Sequence, residues 1–545
     1  MPMIFRSLWI TSAAFCSLVY QLTLGKEISH LIGIPLLWEC LNTGAFLLGM
    51  GIASFRDCPF ERDSIKYSLA RVELRLALLG ICLPMILIIF HFFYRVYFYR
   101  NGFLAEQYLL SARSIFGILC LNLPFWVGYL SGREFRLVNL LLGAESNFIL
   151  TFALYYLGSL LATVAFVFYF HPDLSSLETF VFAGCINLAL FLVLGFSQKR
   201  VATALLAASP VLAIAFLIFR GAESLQQFSL KNFYYNKLEW VLPLGEPIAF
   251  ENPSGIREWL EKHKKYDNVE HYQSSYQSID LVRHSPGFQV HIDYRLQFDS
   301  TKEAKYHERL VHIPAIVRNR QPKRVLIVGG GDGMALREVL RYNNLEKVLL
   351  IDIDSKMTRF ATEHPELREL NQNSFLDPKL ELVNDDAFYY LRHYEGKKFD
   401  SVIIDLTYPF NYDSSRFYTV EFLRLLRRHL TKDGIFSQST PLFSGAADVN
   451  GHDDHDMRHM MWNTLRLAGF HRPIIIFGRL ENYLIAQAND QKYQFKVRPF
   501  SFQTKYISPR FFDVGRWEYL KSSKDPQAAN RLWKPTFLGL RGLFL

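Results

Sequence analysis

The chain has 545 residues, half of them hydrophobic and 15% aromatic, with a net charge of +9. That length leaves room for two or three domains. The positive charge comes without a basic face or a nucleic-acid motif, so no nucleic acid is expected as a partner and anionic membrane lipid is expected instead. All six cysteines (Cys16, Cys40, Cys58, Cys82, Cys120 and Cys185) precede residue 220 and show no CxxC or zinc spacing, which argues against a disulfide framework.

Long apolar stretches crowd into residues 1–220, and the chain beyond them reads as an ordinary soluble sequence. Seven segments are apolar and long enough to span a bilayer: 7–24, 32–54, 76–97, 112–130, 147–170, 177–197 and 201–219. The first lacks a small-residue cleavage site and runs into Gly25-Lys26-Glu27, so it is expected to remain as a span. Arg56, Arg62, Lys66 and Arg71, then Arg133 and Arg136, then Lys199 and Arg200 fall in loops on one side, which the positive-inside rule makes cytoplasmic. With seven spans the soluble half then lies outside, whereas a cytosolic nucleoside substrate places it inside. The substrate argument is preferred, giving a multi-pass protein of the cell (inner) membrane with a cytoplasmic soluble domain. Glu39, inside the second span beside Trp38 and Asn42, is either a cation or amine site or a packing hydrogen bond.

Residues 221–270, with Pro243, Pro247 and Pro253, read as a linker. Residues 271–318 form a small β region plus a helix. Ser278 to Val282 and Phe288 to Ile292 alternate as strands around the turn Ser285-Pro286-Gly287, and a helix runs from Lys302 to Val317.

Residues 319–490 carry the clearest signal. Val325-Leu326-Ile327-Val328 is a strand buried on both faces. The turn Gly329-Gly330-Gly331-Asp332-Gly333 and a helix from Met334 follow it. A second buried strand, Lys347 to Ile351, ends at Asp352, about 20 residues past the turn and so placed to bind ribose hydroxyls. Strands at Leu380 to Val383, Ser401 to Ile404 and Gly434 to Gln438 continue the alternation. The fold class is therefore a multi-pass α-helical membrane bundle followed by an α/β Rossmann-like domain, and the spacing Gly329-x-Gly331-x-Gly333, which departs from the dinucleotide pattern, resembles the S-adenosylmethionine-dependent transferase type. Asp332, Asp352, Asp386 and Asp405 all fall at carboxyl ends of strands, a rim of acids suited to hydroxyls, an adenine amine and cationic groups. Asp386 also reads as an N-cap for Phe388 onward.

The glycine turn with Leu336-Arg337-Glu338-Val339-Leu340, and Tyr306-His307-Glu308 upstream, resemble the spermidine synthase (polyamine aminopropyltransferase) family, in its membrane-fused bacterial form, over roughly residues 270–490. Tyr276-Gln277 and Gln297 match further family positions, and Leu47-Leu48-Gly49-Met50-Gly51 and Tyr156 to Leu161 resemble the fused membrane half. The resemblance implies transfer of an aminopropyl group from decarboxylated S-adenosylmethionine, a co-substrate with no tightly bound cofactor beside it, to an amine. It implies that Gln277, Gly329, Gly331, Gly333 and Asp352 hold the nucleoside, with Asp386 and Ala387 at the adenine. By the same resemblance Asp332 is expected to grip the aminopropyl ammonium, Tyr306, Gln297 and Tyr408 to shape the amine pocket, and Asp405 to be the general base.

Two positions depart from the family. Asp405-Leu406-Thr407-Tyr408-Pro409 has Tyr408 where the family has a second acid, and Lys302 stands where an acid is frequent. Both weaken the case for a dicationic acceptor. Two other functions fit the same elements: a methyltransferase acting on an amine or lipid with intact S-adenosylmethionine, and a polyamine transporter or sensor without chemistry. The stretch His452 to Asp456 with His459 reads as a solvated loop, and no metal is expected. The basic, aromatic tail 491–545 either packs on the core or lies on a membrane, and a homo-oligomer is left open.

Overall fold

The computed structural model describes residues 3–32, 35–55, 61–93, 115–142, 148–198, 200–241, 266–406, 412–440, 454–477, 482–495, 500–508, 511–512, 517–520 and 529–532. The chain divides into two compact units, Met1–Ser275 and Tyr276–Leu545.

The first unit is helical: α1 (Met3–Ile32), α2 (Pro35–Ser54), α3 (Arg62–Phe93), α4 (Asn122–Leu142), α5 (Phe148–Ala165), α6 (Ser176–Ser197), α7 (Val201–Arg220) and α8 (Ala222–Val241), and it ends in strand β1 (Glu270–Gln273). Among the described residues six segments are long and apolar enough to cross a membrane: Ser7–Ser29, Asp63–Phe92, Ile115–Leu141, Ile149–Asp173, Ser176–Ser197 and Val201–Arg220. The predicted second span forms the helix α2. Glu39 itself is exposed, while Asn42 is buried and donates to the Gln21 carbonyl at 2.9 Å. Two predicted loops prove to be helix. Arg71 and Arg75 lie four apart on the exposed face of α3 with Glu73 on the buried one, and Glu134 is buried in α4 between Arg133 and Arg136. Close packing of α2 on α4 depends on small residues: a Cβ on Gly128 would stand 2.0 Å from the Phe46 carbonyl oxygen, and one on Gly49 would stand 2.1 Å from that of Phe125. This is the small-residue contact by which helices associate in lipid, where apolar burial gives no preference for a neighbour over a lipid tail.

The expected linker begins as α8, and residues 242–265 lie outside the described set.

In the second unit β2 (Ser278–His284), β3 (Gly287–Ile292) and β4 (Arg295–Asp299) pair antiparallel, with Ser278 to Ile292 forming the predicted hairpin. Helix α9 (Glu303–Arg318) follows and is capped by Asn319 in the left-handed conformation. An eight-stranded sheet comes next. Strands β5 (Arg324–Gly329), β6 (Lys347–Ile351), β7 (Leu380–Val383), β8 (Phe399–Asp405) and β9 (Leu430–Thr440) are parallel, in the order β9-β8-β5-β6-β7. Strands β10 (His471–Phe477), β11 (Asn482–Gln487) and β12 (Trp517–Tyr519) extend it antiparallel beyond β9. Val325 to Val328 and Ile403 to Ile404 are no more than 1% exposed, which is why they read as unbroken apolar runs rather than as an alternation. Strand order reverses between β5 and β8, and such a reversal opens a crevice at the strands' carboxyl ends. The described parts of the tail pack on this core: Phe500 and Phe502 stack on each other and on His312, and β12 joins the sheet edge.

Candidate active site

The glycine turn is fixed by its neighbour strand. Gly329 lies in register with Asp405, and a Cβ on it would stand 2.2 Å from the Asp405 carbonyl oxygen. Gly329, Gly330 and Gly333 all have positive φ (78°, 69° and 82°), a conformation that only glycine adopts at little cost. The turn leads into α10 (Met334–Leu340), and the Asp332 side chain accepts the Met334 amide at 2.9 Å.

At the end of β6, Asp352 accepts the amides of Gly331 at 2.9 Å and Asp354 at 2.8 Å. Gln277 donates to Asp354 at 2.8 Å. Asp386 is the predicted N-cap, accepting the amides of Phe388 at 2.7 Å and Tyr389 at 3.1 Å, while its second oxygen binds Arg416 at 2.7 Å.

These residues border one cleft of about 540 Å³. Gln277, Gln297, Tyr306, Gly329, Gly331, Asp332, Asp352, Asp386, Ala387 and Asp405 all line it. Gly333 does not, because it forms the turn behind the wall, where Ser374 donates to its carbonyl at 2.9 Å. Tyr408 lies outside the described residues, as do Thr407, Pro409, His452, Asp453 and the side chains of Asp454 to Asp456.

Ligand atoms of His307, Asp332 and Asp405 lie within 4.8 Å of one another. Tyr306 donates to Asp405 Oδ1 at 3.0 Å, and Asp405 Oδ2 faces His307 Nε2 at 3.8 Å. That Oδ2 is buried without a hydrogen-bond partner among the described residues. Burial pushes the Asp405 carboxyl up to about 6; His307 pulls the other way and the Asp332 charge adds to the rise. Burial also lifts Asp352 to about 6, against the hydrogen bonds from Asp354 and Gly331. For His307 burial acts to lower the pKa, but the hydrogen bond to Glu303 and the charges of Asp405 and Asp332 prevail and raise it to about 9.

Sequence reasoning gave no role to the chain behind His307. Its Nδ1 donates to Glu303 at 2.8 Å, and Arg337 binds both oxygens of Glu303 at 3.0 and 3.1 Å. Glu303 and Arg337 were visible only as the neighbour of Lys302 and a motif letter. Arg416 carried no signal at all.

A cleft at a strand-order reversal, with Asp332, Asp352, Asp386 and Asp405 on its rim, suits a nucleoside-dependent transferase. A sequence profile for the Spermine/spermidine synthase domain matches residues 303–449. A polyamine aminopropyltransferase of Leptospira interrogans is 30% identical over 441 residues, covering 79% of this chain and 78% of its own. Polyamine aminopropyltransferase 2 of Aquifex aeolicus is 30% identical over 435 residues, covering 79% and 77%. Alignments of that length exceed the second unit, so these relatives share part of the helical half as well. Among solved structures, a spermidine synthase in complex with the transition-state analogue AdoDATO is 26% identical, covering 46% of this chain and 86% of its own with a TM-score of 0.40. The chain belongs to the spermine/spermidine synthase family of polyamine aminopropyltransferases.

Proposed function

We propose that the protein is a membrane-bound aminopropyltransferase that moves the aminopropyl group of decarboxylated S-adenosylmethionine to an amine, with Asp405 as the base. The observation that carries this reading is the buried, unpartnered Oδ2 of Asp405 in the cleft beside Asp332. An alkylammonium has a pKa of about 10.4 and no free electron pair, so a carboxylate must take its proton before it attacks. Asp405 Oδ2 accepts that proton, and Tyr306 and His307 hold the carboxylate in place. The amine nitrogen forms a bond to the carbon beside the sulfonium, the carbon–sulfur bond breaks, and sulfur keeps the electron pair, leaving methylthioadenosine.

Asp352 receives the ribose hydroxyls on its remaining lone pairs, with Gln277 beside it. Ala387 and Asp386 border the adenine, Gln297 and Tyr306 shape the amine pocket, and Asp332 binds the aminopropyl ammonium. Intact S-adenosylmethionine would bring its own carboxylate against Asp332, and that repulsion selects the decarboxylated form. The six apolar helices support a place in the cell membrane, with the second unit on the cytoplasmic side where the nucleoside is made. The test is mass spectrometry of the products when the purified full chain meets decarboxylated S-adenosylmethionine and a mixed amine pool. Methylthioadenosine together with one aminopropylated amine is expected. Methylated products from intact S-adenosylmethionine would overturn the reading.

A further inference from the structure

The helical half contains a second pair of carboxyls, remote in sequence from the cleft's acids. Glu73 of α3 and Glu134 of α4 are both fully buried. Glu73 accepts the Trp9 indole N–H at 3.1 Å and the Asn187 amide at 2.9 Å. Asn187 is oriented by Tyr20, whose hydroxyl donates to its carbonyl oxygen at 2.9 Å. Glu134 faces Glu73 within hydrogen-bond reach, yet with both groups ionised neither of its oxygens meets a donor. The remaining titratable groups around the pair are Cys16 and Tyr20 of α1, Tyr155 of α5 and, through Tyr20, Cys185 of α6. None of them carries positive charge, and among the described residues neither glutamate forms a salt bridge.

Two acceptors cannot bond to each other. Two buried carboxylates cannot both stand bare, so the pair must share a hydrogen, carried either by one of the carboxyls or by a cation. We propose that Glu73 and Glu134 form a monovalent-cation site, which holds a proton and exchanges it for the ammonium group of an alkylamine. One cation enters as one proton leaves, so the charge of the bundle is unchanged. An ammonium brings three N–H donors to the oxygens of Glu134 that lack them. Choosing an alkylamine over another monovalent cation rests on the amine chemistry proposed for the cleft.

The test uses the full chain in lipid nanodiscs, with butylammonium chloride as probe. Infrared difference spectra should show a protonated carboxyl at neutral pH, and butylammonium should remove it while a pH-indicator dye records release of about one proton per chain. Glu134→Gln and the double variant E73Q/E134Q should lose both signals, and Glu134→Asp, which keeps the acid, should retain them. Aminopropyl transfer by Glu134→Gln should stay within about two-fold of wild type, since Glu134 takes no part in the cleft. No protonated carboxyl in the wild type, a signal unmoved by butylammonium, or a signal unchanged in the double variant would each overturn the site. If instead no enzyme form makes product while the proton signal persists, the transferase reading fails and this site stands. If the Gln variants do not fold, the wild-type spectrum with and without butylammonium decides by itself.

Discussion

Tyr306 donates its phenolic hydrogen to one oxygen of Asp405 at 3.0 Å and leaves the other oxygen, buried, to the cleft. This hydrogen bond favours the charged form of a carboxyl that burial drives toward the neutral one. Tyr306→Phe should therefore move the acid limb of kcat/KM to higher pH. At pH 7 it should lower kcat/KM by about three- to tenfold, as removal of a hydrogen bond to a charged group does.

The pH dependence of activity and of stability should run in opposite directions. A base must be ionised, so activity should rise as pH climbs through about 6, the value for Asp405 and Asp352. Both folded-state values stand above the ordinary carboxyl range, so their contribution to stability is full below the unfolded value and is lost as pH rises through about 6. His307, raised to about 9, likewise contributes below its unfolded value and loses that contribution through about 9. Thermal unfolding should show a lower Tm at pH 9 than at pH 6, over the range where kcat/KM has risen to its plateau.

Breaking the support behind His307 should cost stability first. Glu303→Gln removes the buried carboxylate that Arg337 and His307 share, leaving Arg337 with Glu338 alone and His307 with the more distant Asp405. A broken buried pair of this kind costs about 3–5 kcal/mol. The urea midpoint should fall, and the His307 resonance in proton NMR should titrate at lower pH than in the wild type.

Gly329→Ala tests the coupling of the turn to the base. The new methyl would press on the Asp405 carbonyl from a backbone with φ of 78°, so the strand end carrying Asp405 must move. A loss of about 2–4 kcal/mol in unfolding free energy is expected, with activity falling further than in a surface Gly→Ala control.

Much of the second unit could be read from the sequence because its central strands are continuous apolar runs that end in residues lining the cleft. Lys347–Ile351 and Leu380–Val383 stand where the pattern placed them, and Asp352 and Asp405 follow from the rule that α/β sheets bind at their carboxyl edges. Glu303 and His307 stand four apart on α9, a spacing the sequence shows, but Arg337 joins them only when α9 packs against α10, a contact that neither spacing nor periodicity records. Glu73 and Glu134 drew no reading of their own, because the basic residues around them were placed in loops. On a helix, residues two apart face different ways, so Arg71 and Arg75 reach outward while Glu73 points in. The same ambiguity of charge near span ends moved the predicted edges of the third and fourth spans.

The most direct measurement is the single-turnover rate of methylthioadenosine formation as a function of pH, for wild type and Asp405→Asn at saturating decarboxylated S-adenosylmethionine and amine. A wild-type rate that climbs through pH of about 6, and an Asn variant slower by about 10²–10⁴-fold without that limb, is the expected result. An Asp405→Asn enzyme that kept both the wild-type rate and its acid limb would show that the proton leaves the amine by another route.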